Sequence, residues 1–102
     1  MTSAIKRLRQ SKARAEQENF NFGTTEGRAW AQKEAEATEL ELLARFEWHD
    51  DYTIGDVCRL LDVDADFLVG DIDVILRHSP KFAEGFVAGA LVVFAEAFAD
   101  VL

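Results

Sequence analysis

Hydrophobic positions along this chain recur at helical intervals nearly throughout, and no stretch sustains the alternation of a strand. Residues 4–19 are helix formers with a weak stripe of Ile5, Leu8 and Ala15 that fades after two turns. The run Asn19-Phe20-Asn21-Phe22-Gly23-Thr24-Thr25 reads as a break, with Thr24 or Thr25 as an N-cap. A second helix is expected from Thr25 to Ala37. Thr38 followed by Glu41 has capping-box spacing and predicts a third helix from Glu39 to about Trp48. Thr53 and Asp56 repeat that spacing and open a fourth, ending at Leu61, whose inner face is Ile54, Val57, Cys58 and Leu61.

Asp64 is the expected cap of a fifth helix with Leu68, Ile72, Ile75 and Leu76 along one side, interrupted at Gly70. Ser79-Pro80 is the clearest start signal, a capping serine followed by proline at the first helical position. The sixth helix is expected to run from there to the C-terminus. Together these elements predict an all-α fold, a compact bundle of five to six helices. Residues 1–19 are expected to form a basic leader, weakly helical or flexible, and residues 20–102 a single helical domain.

Two i+4 series stand out. Gly23, Gly27, Ala31 and Ala35 recur along the second helix with Trp30 beside them. Along the last, Phe82, Phe86, Ala90, Phe94, Phe98 and Leu102 form one row, and Gly85, Gly89, Val93, Ala97 and Val101 a parallel one. The segment Phe20-x-x-Gly23-x-x-x-Gly27 echoes Phe82-x-x-Gly85-x-x-x-Gly89. Glycine inside a helix costs about 0.5–1 kcal/mol relative to alanine, so four of them require a compensating contact. Rows at i±4 are the ridges along which helices interlock, and a glycine floor admits a second backbone. The Gly23/Gly27/Ala31 row and the last helix are therefore expected to pack against each other, within one chain or across a homodimer, with Gly27, Trp30, Phe82, Gly85, Phe86, Gly89, Phe94 and Phe98 as the packing residues. The last helix carries so few charges that it must be buried almost all round, as the central element or as a dimer-forming one.

Length changes the picture only by confining it: 102 residues suit one domain. The ten-residue apolar run from Phe86 to Ala95 is too short for a bilayer span. The first twenty residues lack the apolar stretch of a secretory signal, so a cytoplasmic location is expected, with no membrane partner.

Charge changes it more. The net −8 divides into +4 over residues 1–33, from seven Lys/Arg against three Asp/Glu, and −12 over residues 34–102, from four against sixteen. An acidic body disfavours direct nucleic-acid binding and favours basic protein surfaces. Asp62, Asp64, Asp66, Asp71 and Asp73 are the first expected partner contact. The leader residues Lys6, Arg7 and Arg9, followed by Lys12 and Arg14, are the second.

Candidate chemistry is sparse. Glu47, His49, Asp50 and Asp51 form the densest ligand-type cluster, but metal-site spacing is absent and His78 is distant in sequence. Cys58, the one cysteine, falls on an inner helix face and reads as a buried inert thiol. No phosphate loop, nucleophile elbow or dinucleotide fingerprint occurs. No catalytic residues, metal or cofactor are therefore expected.

Residues Thr53 to Arg77, with Thr53-Ile54-Gly55-Asp56-Val57-Cys58-Arg59-Leu60-Leu61-Asp62-Val63-Asp64 as first helix and turn, loosely resemble a helix-turn-helix. That resemblance would imply DNA reading, yet its second helix would present aspartates to phosphates and leave Arg77 as the one base-reading candidate. In size and charge the chain is also similar to small acidic phage and mobile-element proteins that block host defence enzymes by imitating nucleic acid. The expected function is non-catalytic partner binding, as an interaction or regulatory protein, with such an inhibitor as the alternative.

Overall fold

The computed structural model describes residues 2–99, and every regular element among them is a helix. In chain order these are α1 (Thr2–Lys33), α2 (Ala37–Arg45), α3 (Ile54–Leu61), α4 (Ala65–Val69), α5 (Val74–Arg77) and α6 (Pro80–Phe98). The expected continuation of α6 through Val101 and Leu102 lies outside the described residues.

The pairing of α1 with α6 is the most extensive in the molecule. Asn19 Nδ2 donates to Ser79 Oγ at 3.3 Å, and Arg28 Nη2 meets Glu96 Oε1 at 3.5 Å further along, so the two helices run parallel. Their glycines allow the backbones to touch. A Cβ built on Gly23 would lie 2.1 Å from the Phe82 carbonyl oxygen, and one on Gly27 1.9 Å from that of Phe86. From the other side, a Cβ on Gly85 would meet the Phe20 oxygen at 2.1 Å, and one on Gly89 the Thr24 oxygen at 2.2 Å. Each glycine thus turns a Cα hydrogen, where other residues carry Cβ, onto a carbonyl of the opposite helix. Such Cα–H···O contacts contribute about 0.5–1 kcal/mol each and recur where small residues bring helices together. The two sets are reciprocal: each residue of the echo in α1 faces α6 as its counterpart in α6 faces α1.

Around this seam the core closes. Phe82 and Phe86 are fully buried, and the Trp30 ring lies 5.5 Å from that of Phe86. Leu40 and Leu43 of α2, Ile54, Val57, Cys58 and Leu61 of α3, and Leu68 and Val69 of α4 complete it. The inner face expected for α3 is therefore the buried one.

Three local expectations change. The run Asn19–Thr25 is continuous helix, not a break. Thr24 and Thr25 do not cap; their hydroxyls donate to the carbonyls of Phe20 and Asn21, four residues back, at 3.0 and 3.2 Å. Gly23 and Gly27 sit mid-helix because the seam there needs them bare. Next, the capping box of α2 is Glu36 with Glu39, not Thr38 with Glu41: the Glu36 N–H donates to Glu39 Oε1 at 3.0 Å. Because α1 already ends at Lys33, Thr38 falls inside the first turn of α2. Finally, the interruption expected at Gly70 is present, with φ +68° between α4 and α5, but the side expected to be shared by Leu68, Ile72, Ile75 and Leu76 is not kept across it. The restart, with Asp73 Oδ1 accepting from the Ile75 N–H at 2.9 Å, changes the helical register. Leu68 stays buried and Leu76 half-buried, while Ile75 is 74% exposed.

Two start signals read from sequence are present as expected. Ser79 Oγ accepts from the Phe82 N–H at 3.2 Å ahead of Pro80. Thr53 and Asp56 form a capping box, with the Thr53 N–H donating to Asp56 Oδ2 at 2.8 Å. That backbone hydrogen bond is the chief reason the Asp56 carboxyl sits below its ordinary range, and Arg59 adds to the effect.

Gly27→Ala should lower unfolding stability by about 2–3 kcal/mol in denaturant titration, because a backbone must retreat. Gly55→Ala, which meets only the Thr53 hydroxyl at 3.6 Å, should be neutral or stabilising by up to about 1 kcal/mol. Equal stability for both variants would refute the seam. Asp56→Asn should cost about 1 kcal/mol near neutral pH. Because folding depresses the Asp56 pKa, its contribution is complete above the unfolded-state value and fades as pH falls through the folded one. The wild-type and Asp56→Asn stability curves should therefore converge at the acid end; parallel curves there would contradict the cap.

Candidate interaction surface

Short elements α4 and α5 hold the expected acidic contact residues. Arg77 joins them: its Nη2 donates to Asp66 Oδ1 at 2.7 Å and to the Gly70 carbonyl at 2.8 Å. The guanidinium thus ties residues 66–77 into one unit, where the helix-turn-helix resemblance had left it as the one base-reading candidate. With α4 only five residues long, the segment also lacks a full second helix to lay in a groove.

The five aspartates are all exposed. Asp66 is paired with Arg77 and Asp73 caps α5, whereas Asp62, Asp64 and Asp71 have no ion pair among the described residues. Asp62 takes a left-handed conformation (φ 56°) that ends α3. The same segment exposes three apolar side chains, Phe67, Val74 and Ile75, by 58%, 66% and 74%. An acidic segment that also displays large apolar groups differs from a merely solvated face. For Ile75, the break at Gly70 separates it from the side that buries Leu68, and only the φ > 0 tolerance of glycine hinted at this.

Next to this segment, Cys58, Arg59, Asp62, Val63, Asp64 and Phe67 line an open depression of about 490 Å³. Cys58 is buried at its base, and removal from water pushes its thiol up from the ordinary cysteine range. A neutral thiol is a poor nucleophile and a poor metal ligand.

The basic residues Lys6, Arg7 and Arg9 lie far from the aspartates in sequence, on the first turns of α1. All side chains from residue 3 to residue 15 are exposed, Ile5 by 53% and Leu8 by 63%. α1 spans about 48 Å at 1.5 Å per residue, and α6 begins beside Asn19, so the first half of α1 forms an arm. The longest dimension of the molecule, 55 Å, reflects it.

The expected packing residues divide into two groups. Gly27, Trp30, Phe82, Gly85, Phe86 and Gly89 meet within the chain at the α1–α6 seam. Phe94 and Phe98 pack on each other at 5.0 Å and are half-buried, near Val92 at 43% exposure. α6 is therefore central over its first three turns and half-covered beyond them.

In the 46–53 loop Tyr52 is an aromatic hub, with Phe46, Trp48 and His49 rings at 5.5, 5.2 and 5.1 Å. His49 is stacked edge-on against it, and Asp50 and Asp51 face solvent. Among the described residues no three His, Cys, Asp or Glu side chains converge as a metal site would need. Nor is any helix among them long and apolar enough to cross a membrane.

Iodoacetamide should alkylate Cys58 at pH 8 at least about tenfold more slowly in the native protein than in denaturant. Equal rates would show the thiol to be open to solvent. Compared with protein-family models, with curated proteins and with solved structures, the chain matches none of them.

Proposed function

We propose that this is a small, non-catalytic, cytoplasmic interaction or regulatory protein that acts by binding a partner protein through the α4–α5 face. One observation carries the reading: the short segment from Asp62 to Ile75 exposes Phe67, Val74 and Ile75 as well as Asp62, Asp64, Asp71 and Asp73. Interfaces gain affinity from desolvated apolar anchors, while surrounding charges set specificity and on-rate. A partner with an apolar recess rimmed by Lys or Arg would match both features.

The apolar groups also favour this reading over imitation of nucleic acid. A phosphate-like surface would rely on carboxylates alone, and one of the five here, Asp66, is already neutralised by Arg77. Burial and neutrality of Cys58 further support a non-catalytic role.

The test compares proteins retained by the full chain with those retained by Phe67→Ser/Ile75→Ser and by Asp64→Asn/Asp71→Asn. All four positions are exposed, so circular dichroism should report an unchanged fold. A partner lost on the apolar change and weakened on the acidic one is the expected result. Retention through the apolar change with loss on the acidic one would favour the nucleic-acid mimic. Indifference to both would remove the face from consideration.

A further inference from the structure

Residues 3–15 form a lone helical arm whose every side chain is exposed. An isolated helix of this length is marginal in water, so an arm of this kind gains most by docking. It carries Lys6, Arg7, Arg9, Lys12 and Arg14 and no acidic residue, with Ile5 and Leu8 one turn apart among them. The α4–α5 face has the opposite composition: exposed apolar side chains among carboxylates, with its one cation, Arg77, already paired. Apolar group matches apolar group and cation matches anion.

We infer that the arm of one copy docks on the α4–α5 face of a second copy, giving a two-fold dimer. The arm cannot fold back onto its own face, because α1 continues without interruption into the α1–α6 seam. Two arms lying only against each other would set five positive charges against five. The face, in contrast, leads directly into α6, whose first turn lies beside Asn19 at the base of the arm. Two antiparallel arms can each reach the other copy's α5, and reciprocal exchange closes the assembly. This inference rests on the α4–α5 face being a docking face and names an occupant for it. The arm would then compete with any other partner and set a concentration-dependent limit on its binding.

Sedimentation velocity on the full chain tests it. The wild type should sediment at double the chain mass. Raising salt from roughly 0.05 to 0.5 M should weaken association about tenfold or more, as screening shortens the reach of the charges. Arg7→Glu/Arg9→Glu and Asp64→Lys/Asp71→Lys should each be monomeric, since the first lowers the arm from +5 to +1 and the second raises the face from −4 to zero, which removes most of the attraction. An equimolar mixture of the two should return to the dimer mass, because the mixed pair restores one unaltered arm on one unaltered face and sets the introduced glutamates against the introduced lysines in the other contact. A monomeric wild type, a variant that still dimerises alone, or a mixture that stays monomeric overturns the inference. So does a wild type that is monomeric and shifts a short DNA duplex through the arm. If self-association fails while Asp64→Lys/Asp71→Lys still abolishes partner capture, only the second-copy occupant is wrong. If capture is also unaffected, the face itself is.

Discussion

The fold depends on two backbones brought into contact. Gly23 and Gly27 on α1 and Gly85 and Gly89 on α6 place Cα hydrogens against carbonyl oxygens of the opposite helix, and a methyl group at any of them would collide with main chain. Main chain cannot swing aside as a side chain can, so this contact fixes the relative position of the two helices more tightly than a leucine seam would. Its reciprocity arises from the repeated Phe-x-x-Gly-x-x-x-Gly pattern. Whatever the origin of that echo, two like surfaces pair about a local two-fold axis when their helices run side by side in the same direction.

Parallel direction has a topological consequence. Parallel neighbours cannot be joined by a tight turn, and the chain must travel back along the pair before α6 begins. The return path is residues 34–79, and its helices supply the remaining core: Leu40 and Leu43, the inner face of α3, then Leu68 and Val69. Those helices are short because each needs to cover only part of the seam. Burial of their apolar faces is what stabilises α2, α3 and α4, since helices of nine residues or fewer are marginal alone.

The same register leaves material uncovered at both ends. α6 starts beside Asn19, so half of α1 projects with its basic residues, and the later turns of α6 are only partly covered. Charge tracks this geometry. The positive excess is concentrated on the projecting arm, and the return path, with α6, carries the negative excess. The molecule is thus a negatively charged body with a positively charged arm.

Helix class, the Ser79-Pro80 and Thr53/Asp56 starts, the buried face of α3 and the need for glycine-floored packing were all legible in the residues, because each rests on local spacing. The sequence did not reveal that Asn19–Thr25 is helical. Its Asn, Gly and Thr residues have break-like propensity, and only the partner helix across the seam offsets their cost. It likewise suggested that Ile75 shares a face with Leu68. A single positive-φ residue, Gly70, instead rotates α5 relative to α4, and the tertiary fold decides whether such a residue bends the chain or sits within a helix. Acidic and basic positions could be read directly, but their neighbours could not. Which carboxylates are neutralised, which apolar groups stand among them, and how far the arm projects depend on contacts distant in sequence. Local order, charge and the glycine rows that pair α1 with α6 were thus legible in the chain itself, whereas the closing of that pair within one chain, and the surfaces it leaves exposed, were decided by packing between residues distant in sequence.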